Sequence, residues 1–228
     1  MRTWKYETHI HTRQGSACGR NTGAEMVDYY RSLGFAGFIV TDHFIGGNTA
    51  VDFNNLPWEE AVEQFCSGYE DAKRRGEEIE FDVFFGFEYA YDATEFLILG
   101  LNKQWLLENP QIIRMDLKRA LEHFKKSGGF IIHAHPFRDR DYIDMIRLLP
   151  DLTDAVEVYN YANPDEVNER AAVYAKMYGF RGTAGGDAHC IRSKPSGIET
   201  RKRAHTIHEF INIIQNGEYS LICTNSKV

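Results

Sequence analysis

Six times along this sequence a short apolar run stops at a histidine or an acid, and amphipathic stretches of helical period lie between the stops. The stops are Glu7-Thr8-His9-Ile10-His11-Thr12, Thr41-Asp42-His43, Gly86-Phe87-Glu88, His133-Ala134-His135-Pro136, Glu157-Val158-Tyr159-Asn160 and Gly185-Gly186-Asp187-Ala188-His189. The runs before them, such as Phe38-Ile39-Val40 and Phe130-Ile131-Ile132, are apolar on successive residues, as strands buried on both faces of a parallel sheet are. Helical spacing of apolar residues falls at 24–33, 58–75, 115–126, 143–149, 165–178 and 207–215, with Gly34, Gly76, Gly128-Gly129 and Gly179 as stops. This alternation predicts one α/β domain over residues 1–228 whose parallel sheet closes, wholly or nearly, into a barrel. An open doubly wound sheet is the weaker alternative, because no Gly-x-Gly-x-x-Gly follows the first strand.

A closed parallel sheet brings the C-terminal ends of its strands to one mouth. His9, His11, His43, Glu88, His135, Asp187 and His189 all stand at or just past such ends, so they are expected to converge despite their separation in sequence. Residues two apart on a strand share a face, which aims His9 and His11 together. Histidine with carboxylate and little cysteine suits Zn²⁺, Mn²⁺ or Fe²⁺. The set exceeds what one tetrahedral ion holds, so two or three divalent ions sharing a bridging carboxylate are expected. Paired ions clamp the attacking and leaving oxygens of a displacement, which points to hydrolysis at phosphorus ahead of hydrolysis at a carbonyl.

Composition narrows the partners. With 26 Lys and Arg against 33 Asp and Glu, the formal charge is −7, which disfavours affinity for a nucleic-acid backbone. No apolar run approaches the ~20 residues of a membrane span, and the start lacks a basic-then-apolar leader, so no membrane association and a cytoplasmic location are expected. Cys18, Cys66, Cys190 and Cys223 show no paired spacing, and reduced thiols are the expectation. Arg138, Arg192 and Lys194 are the cations nearest the strand-end residues, and a guanidinium fork suits phosphate oxygens. Tyr159 and Asn160 are expected to line the pocket, and Glu157 to support a ligand rather than be one. His133 shares a face with His135 but reads as a supporting or core residue, and His123, His205 and His208 as ordinary helix residues. The loop 45–57 with Gly46-Gly47-Asn48 either lines the pocket or is a solvated connector.

These stretches resemble the motifs of the polymerase and histidinol phosphatase (PHP) family: His9-Ile10-His11, Thr41-Asp42-His43, His135-Pro136 and Asp187-Ala188-His189, with Glu88 of Gly86-Phe87-Glu88 matching its bridging carboxylate. The resemblance runs in order from Thr3 to His189 and implies a distorted (β/α)7 barrel with a two- or three-metal centre and phosphoesterase activity. It implies His9, His11, Glu88 and Asp187 around a first ion, Glu88 bridging to a second near His135, and His43 and His189 facing a third. Glu88 and Asp187 would then carry the catalysis, with a bridging hydroxide as nucleophile oriented by Asp187. The sequence departs from the pattern at Cys18, where some members have Asp, and at Asn102, where some have a metal-binding His. Cys18 is therefore either a thiolate ligand or a free loop cysteine. The expected substrate is a small phosphorylated metabolite or a nucleotide; an exonuclease and a metal-binding module without turnover are the alternatives.

Overall fold

The computed structural model describes residues 2–224 of the chain. In chain order the elements are β1 (Trp4–Ile10), α1 (Gly23–Ser32), β2 (Gly37–Val40), α2 (Trp58–Ile79), β3 (Asp82–Tyr91), β4 (Thr94–Leu99), α3 (Lys103–Glu108), α4 (Leu117–Lys126), β5 (Phe130–His133), β6 (Ala155–Asn160), α5 (Asp165–Tyr178), β7 (Arg181–Gly185), β8 (Gly197–Thr200), α6 (Ile207–Asn216) and β9 (Tyr219–Ile222). The strands form one sheet in the order β7-β6-β5-β4-β3-β2-β1-β8-β9. The segment after β7 comes back to β1 through the parallel bridge Ile10–Ala188, where Ala188 N donates to His9 O at 3.1 Å and His11 N to Ala188 O at 2.9 Å. That return nearly closes the sheet into a barrel, as the alternation of elements predicts.

The distortion of the barrel has identifiable causes. Pairs β1–β2, β2–β3, β5–β6 and β6–β7 are parallel, but β4 runs antiparallel to both β3 and β5. A two-residue turn makes this reversal: Asp92 and Ala93 both have positive φ, 44° and 59°, the handedness that tight hairpins need. On the other side β8 pairs antiparallel with β1, and β9 with β8.

Strand β1 also shifts register against β2 between Glu7 and Ile10. Tyr6 therefore packs with Ile39, Phe84 and Phe210 inside the barrel, while Ile10 packs outward with Met26 and Tyr30 of α1. The shift rephases the strand, as bulges do, and lets His9 and His11 face the mouth. Helix α1 starts where the sequence allows a reciprocal cap: Thr22 Oγ1 accepts from Glu25 N at 3.1 Å and Glu25 Oε2 from Thr22 N at 2.8 Å.

One expected helix is absent. Residues 143–149 have no regular structure, and Arg147 instead reaches Asp92 O at 3.0 Å and Asp92 Oδ2 at 3.2 Å. A seven-residue stretch ending at Pro150 is too short to hold a helix without packing, and Met145 and Ile146 are exposed.

Candidate metal centre

At the mouth of the barrel seven strand-end residues meet, as their positions predict. Glu88, fully buried on β3, stands in the middle. Its Oε1 is 3.2 Å from His9 Nε2 and 3.2 Å from His135 Nε2; its Oε2 is 2.6 Å from His43 Nδ1 and 3.7 Å from His11 Nε2. Asp187 Oδ1 lies 3.2 Å from His11 Nε2 and 3.7 Å from His9 Nε2. The imidazoles of His11 and His189 stack at 4.2 Å, and donor atoms of His11, His43 and His189 lie within 4.8 Å of one another.

The tautomers follow from the neighbours. Glu157 Oε1 accepts from His9 Nδ1 at 2.9 Å. Ser16 donates its only hydroxyl proton to Asp42 Oδ1 at 2.7 Å, so its oxygen accepts from His11 Nδ1 at 3.1 Å and from His43 N at 2.9 Å. His189 Nδ1 donates to Asp187 O at 2.8 Å. In all three rings Nδ1 is committed to a protein partner and Nε2 is turned toward the mouth, the arrangement by which proteins orient metal-binding histidines.

His9 Nε2, His11 Nε2, His43 Nδ1 and Glu88 Oε2 are buried and make no hydrogen bond, although carboxylate oxygens and imidazole nitrogens face one another there at 2.6 to 3.7 Å. Buried polar atoms are rarely left so. A set of donor atoms converging on common points is what a cation satisfies, and imidazole with carboxylate fits Zn²⁺, Mn²⁺ or Fe²⁺.

The electrostatics agree. Burial disfavours an ionised Glu88, but the charges of His43 and His9 outweigh it and hold the carboxyl well below its ordinary range. Asp187 is held down in the same way, chiefly by Arg138 and then His9. Burial and the neighbouring His43 and His189 push His11 well below the usual imidazole value, so it is neutral. Two of these residues also have strained backbone: His135 has φ 28° and Asp187 φ 50°. Non-glycine residues at such angles cost roughly 1–3 kcal/mol and cluster at functional sites.

Five residues extend the set. Glu95, unnoticed in the sequence, reaches in from β4, with Oε2 3.5 Å from His135 Nε2 and Oε1 3.8 Å from His43 Nδ1. Glu157 supports the centre as expected, accepting from His135 N at 3.0 Å and Asn160 Nδ2 at 2.8 Å as well as from His9. Ser16 and Asp42 form the second support, under His11 and His43. Burial opposes ionisation of the Cys18 thiol, yet hydrogen bonds with His189 and His43 prevail and bring it down to about 6.

A cavity of about 460 Å³ opens over the centre, lined among others by Cys18, His43, Glu95, Arg138, Tyr142, Asp187 and His189. The Arg138 guanidinium bonds to Asp187 Oδ2, to Asn160 Oδ1 at 3.2 Å and to Asn163 Oδ1 at 3.1 Å. Gly47 and Asn48 also line this cavity, so the loop 45–57 contributes to the pocket. Arg192 is exposed and is not among the lining residues, and Lys194 lies over the Tyr161 ring at 5.8 Å. Among the described residues Arg138 is the one Lys or Arg lining this cavity. His133 is a core residue: it stacks on Phe96 at 4.6 Å, and burial drives it down to about 3.

The sequence matches no family model and no curated protein significantly. Solved structures do share the fold. A two-domain protein from Bacteroides vulgatus, described as containing a predicted PHP-like metal-dependent phosphoesterase, superposes with TM-score 0.75 at 15% identity, over 97% of this chain. The chain has a PHP-like barrel fold. It spans 65% of the length of that two-domain protein. A putative metal-dependent phosphoesterase from Bifidobacterium adolescentis matches with TM-score 0.55 and 17% identity over 84% of this chain and 91% of its own. An amidohydrolase from Chromobacterium violaceum, solved with bound sulfate and no metal, matches with TM-score 0.54 and 16% identity over 81% of this chain and 87% of its own.

Proposed function

We propose that this chain is a metal-dependent hydrolase of phosphate monoesters, acting on a small phosphorylated metabolite or a nucleotide. The observation that carries the reading is the set of buried, unpartnered donor atoms on His9, His11, His43 and Glu88 around a common mouth. His9, His11, Glu88 and Asp187 would hold one divalent ion, and Glu88, Glu95 and His135, with His43 beside them, a second. When bound, such ions neutralise phosphate charge and make hydroxide available near neutral pH.

The chain's own residues do the rest. Glu157 and the Ser16–Asp42 pair fix the rings of His9 and His11, so the site is organised before any ligand arrives. Asp187 is held at both oxygens, Oδ1 among the imidazoles and Oδ2 on Arg138, and so keeps one orientation toward the reacting centre. Arg138 lines the cavity and presents a guanidinium to phosphate oxygens. Among the described residues it is the one Lys or Arg lining this cavity, which with a net charge of −7 favours a small ester over a nucleic-acid chain.

The test strips the protein, reloads it with Mn²⁺, Zn²⁺ or Fe²⁺, and assays an aryl phosphate, a panel of phosphorylated metabolites, short oligonucleotides and amide substrates. Metal-dependent release of phosphate, lost in folded Asp187→Asn, is the expected result. Folded protein that binds ions but turns over nothing would be a metal-binding module, release of mononucleotides would make it an exonuclease, and cleavage of amides alone would move the chemistry to carbonyl carbon.

A further inference from the structure

We infer that the phosphate ester hydrolysed at this mouth carries an apolar alkyl or aryl group, received by Tyr142, Met145 and Ile146 at the rim. The inference rests on the phosphoesterase reading of the same site and narrows its substrate, setting polyol phosphates and nucleotides aside.

The walls of the mouth cavity carry the first part of the argument. Apart from the histidines, the carboxylates and Arg138, they are Cys18, Gly46, Gly47, Asn48, Ala93 and Tyr142. Among the described residues no second Lys or Arg lines the cavity to meet a second phosphate, and little besides the Asn48 amide is left to pair with hydroxyls or a nucleobase. A site that recognises such groups needs placed polar partners, because a hydroxyl or amide stripped of water without replacement weakens binding.

The segment 138–149 carries the second part. It has no helix or strand, yet it is held at two points: Arg140 Nη2 donates to Ala162 O at 3.3 Å, and Arg147 donates to Asp92 O at 3.0 Å and to Asp92 Oδ2 at 3.2 Å. Asp92 belongs to the turn that swings Glu95 into the centre, so the segment is fixed relative to the candidate ligands. Between the two ties its large side chains face outward. Tyr142, Met145 and Ile146 are 66%, 58% and 46% exposed, and none of them packs into a core cluster. Single exposed apolar residues are ordinary, but a run of them on a tethered segment beside a polar centre is the kind of patch that marks a ligand surface.

Position joins the two parts. Tyr142 lines the mouth cavity itself, and Ile143, Met145 and Ile146 line the adjoining cleft together with Glu95, His135 and Arg138. That cleft is nearly filled by its own side chains, with about 10 Å³ left, so an organic group would lie across their exposed faces rather than between them. With the phosphoryl oxygens held at Arg138, the rest of the ester meets this apolar rim as it leaves the mouth. Hydrolysis adds water across the P–O bond, so the products are inorganic phosphate and an apolar alcohol.

The test measures kcat/KM of the metal-loaded full-length protein for ethyl, butyl and hexyl phosphate and for glycerol 1-phosphate. A methylene half withdrawn from water is worth about twofold, so hexyl phosphate should exceed ethyl phosphate by about 15-fold, and glycerol 1-phosphate should fall below butyl phosphate. The gain should enter through KM, because the rim binds ground state and transition state alike. Tyr142→Ser combined with Met145→Ser and Ile146→Ser should flatten the hexyl-to-ethyl ratio to within about threefold, whereas Tyr142→Phe with Met145→Leu should keep it. The ratio is taken within each protein, so a general loss of activity or of folded material does not imitate the effect. A flat series in the wild type, or a steep one that survives the serine variant, would overturn the apolar rim and leave the hydrolase reading standing. A flat series in a wild-type dimer that the serine variant splits would also overturn it, giving the patch to a second copy of the chain. Folded, metal-loaded protein that hydrolyses none of the esters would overturn both readings.

Discussion

At the scale of single residues, the centre depends on side chains that touch no substrate. Glu157 is one, fixing the His9 tautomer with one oxygen and holding His135 N and Asn160 with the other. Glu157→Gln keeps the shape but removes the charge and one acceptor, and residues of this kind usually cost about 10–100-fold in metal affinity. Calorimetric titration of the first equivalent of Zn²⁺ should show a loss of that size, while an unchanged affinity would mean that His9 needs no orienting partner. Glu7 offers a second test. It is fully buried, and burial pushes its carboxyl up to about 7, against hydrogen bonds from the amides of Gly186, Ser196 and His9 and from the Tyr30 hydroxyl. Because the folded value exceeds the ordinary 4.5, the folded chain holds that proton more tightly than the unfolded one. The contribution is full below about pH 4.5 and is lost as pH rises through about 7, by roughly 3 kcal/mol at about 1.4 kcal/mol per unit. Denaturant unfolding of metal-free wild type and Glu7→Gln across that window should show the difference between them shrinking with pH, and a constant difference would place Glu7 in one protonation state throughout. At this scale the sequence was readable where chemistry and position coincide: His9, His11, His43, Glu88, His135, Asp187 and His189 each follow an apolar run. It misled at Arg192, where proximity in sequence to His189 does not carry the side chain into the cavity.

At the scale of elements, the reversal of β4 explains what pattern reading missed. In an all-parallel barrel only strand ends reach the mouth, and Glu95 is the second residue of its strand. The turn at Asp92-Ala93 makes β4 antiparallel, so its beginning lies where the other strands end, and Glu95 pairs in register with Ala90 just past Glu88. Direction cannot be read from an apolar run such as Phe96-Leu97-Ile98-Leu99, which looks the same in either sense. The expected helix at 143–149 failed for a related reason: its apolar residues are spaced for a helix, but the segment is tied to the β3–β4 turn through Arg147. The antiparallel strand gives its own prediction. Glu95→Gln should weaken the position shared with His135 and His43 by at least tenfold and spare the one at His9, His11 and Asp187, because Glu95 approaches only the former. Metal content measured after dialysis at graded free Mn²⁺ should therefore show one equivalent lost early, and loss of all bound ions together would mean the two positions are not separable.

At the scale of the whole molecule, the mouth gathers side chains from both sides of the seam where one nine-stranded sheet nearly closes on itself. The candidate ligands come from β1, the segment after β2, the interior of β3, the start of β4, the turn after β5 and the segment after β7, and at that last seam the barrel closes on β1 with the isolated Ile10–Ala188 bridge. Glu88, Asp187 and Glu157 are carboxylates buried within one small volume, compensated by imidazoles and, for Asp187, first by Arg138. Cations there would tie the seam shut and neutralise the acids in the same step, so binding belongs to the folded state alone, where the donors converge. A ligand confined to the folded state stabilises it by about 2.7 kcal/mol per site at a hundredfold excess over its dissociation constant. For a chain of this length about 1 kcal/mol moves the melting temperature by roughly 2–4 °C, so each filled site should raise it by roughly 5–10 °C. Melting curves at stepped Zn²⁺ should climb with free metal and fall back on chelation, and the shift should shrink in Asp187→Asn, which removes charge at the seam. A melting temperature indifferent to metal would mean that ions do not bind the folded chain, and the seam would then owe its stability to the Ile10–Ala188 pairing and the Glu7 bonds to Gly186 and Ser196.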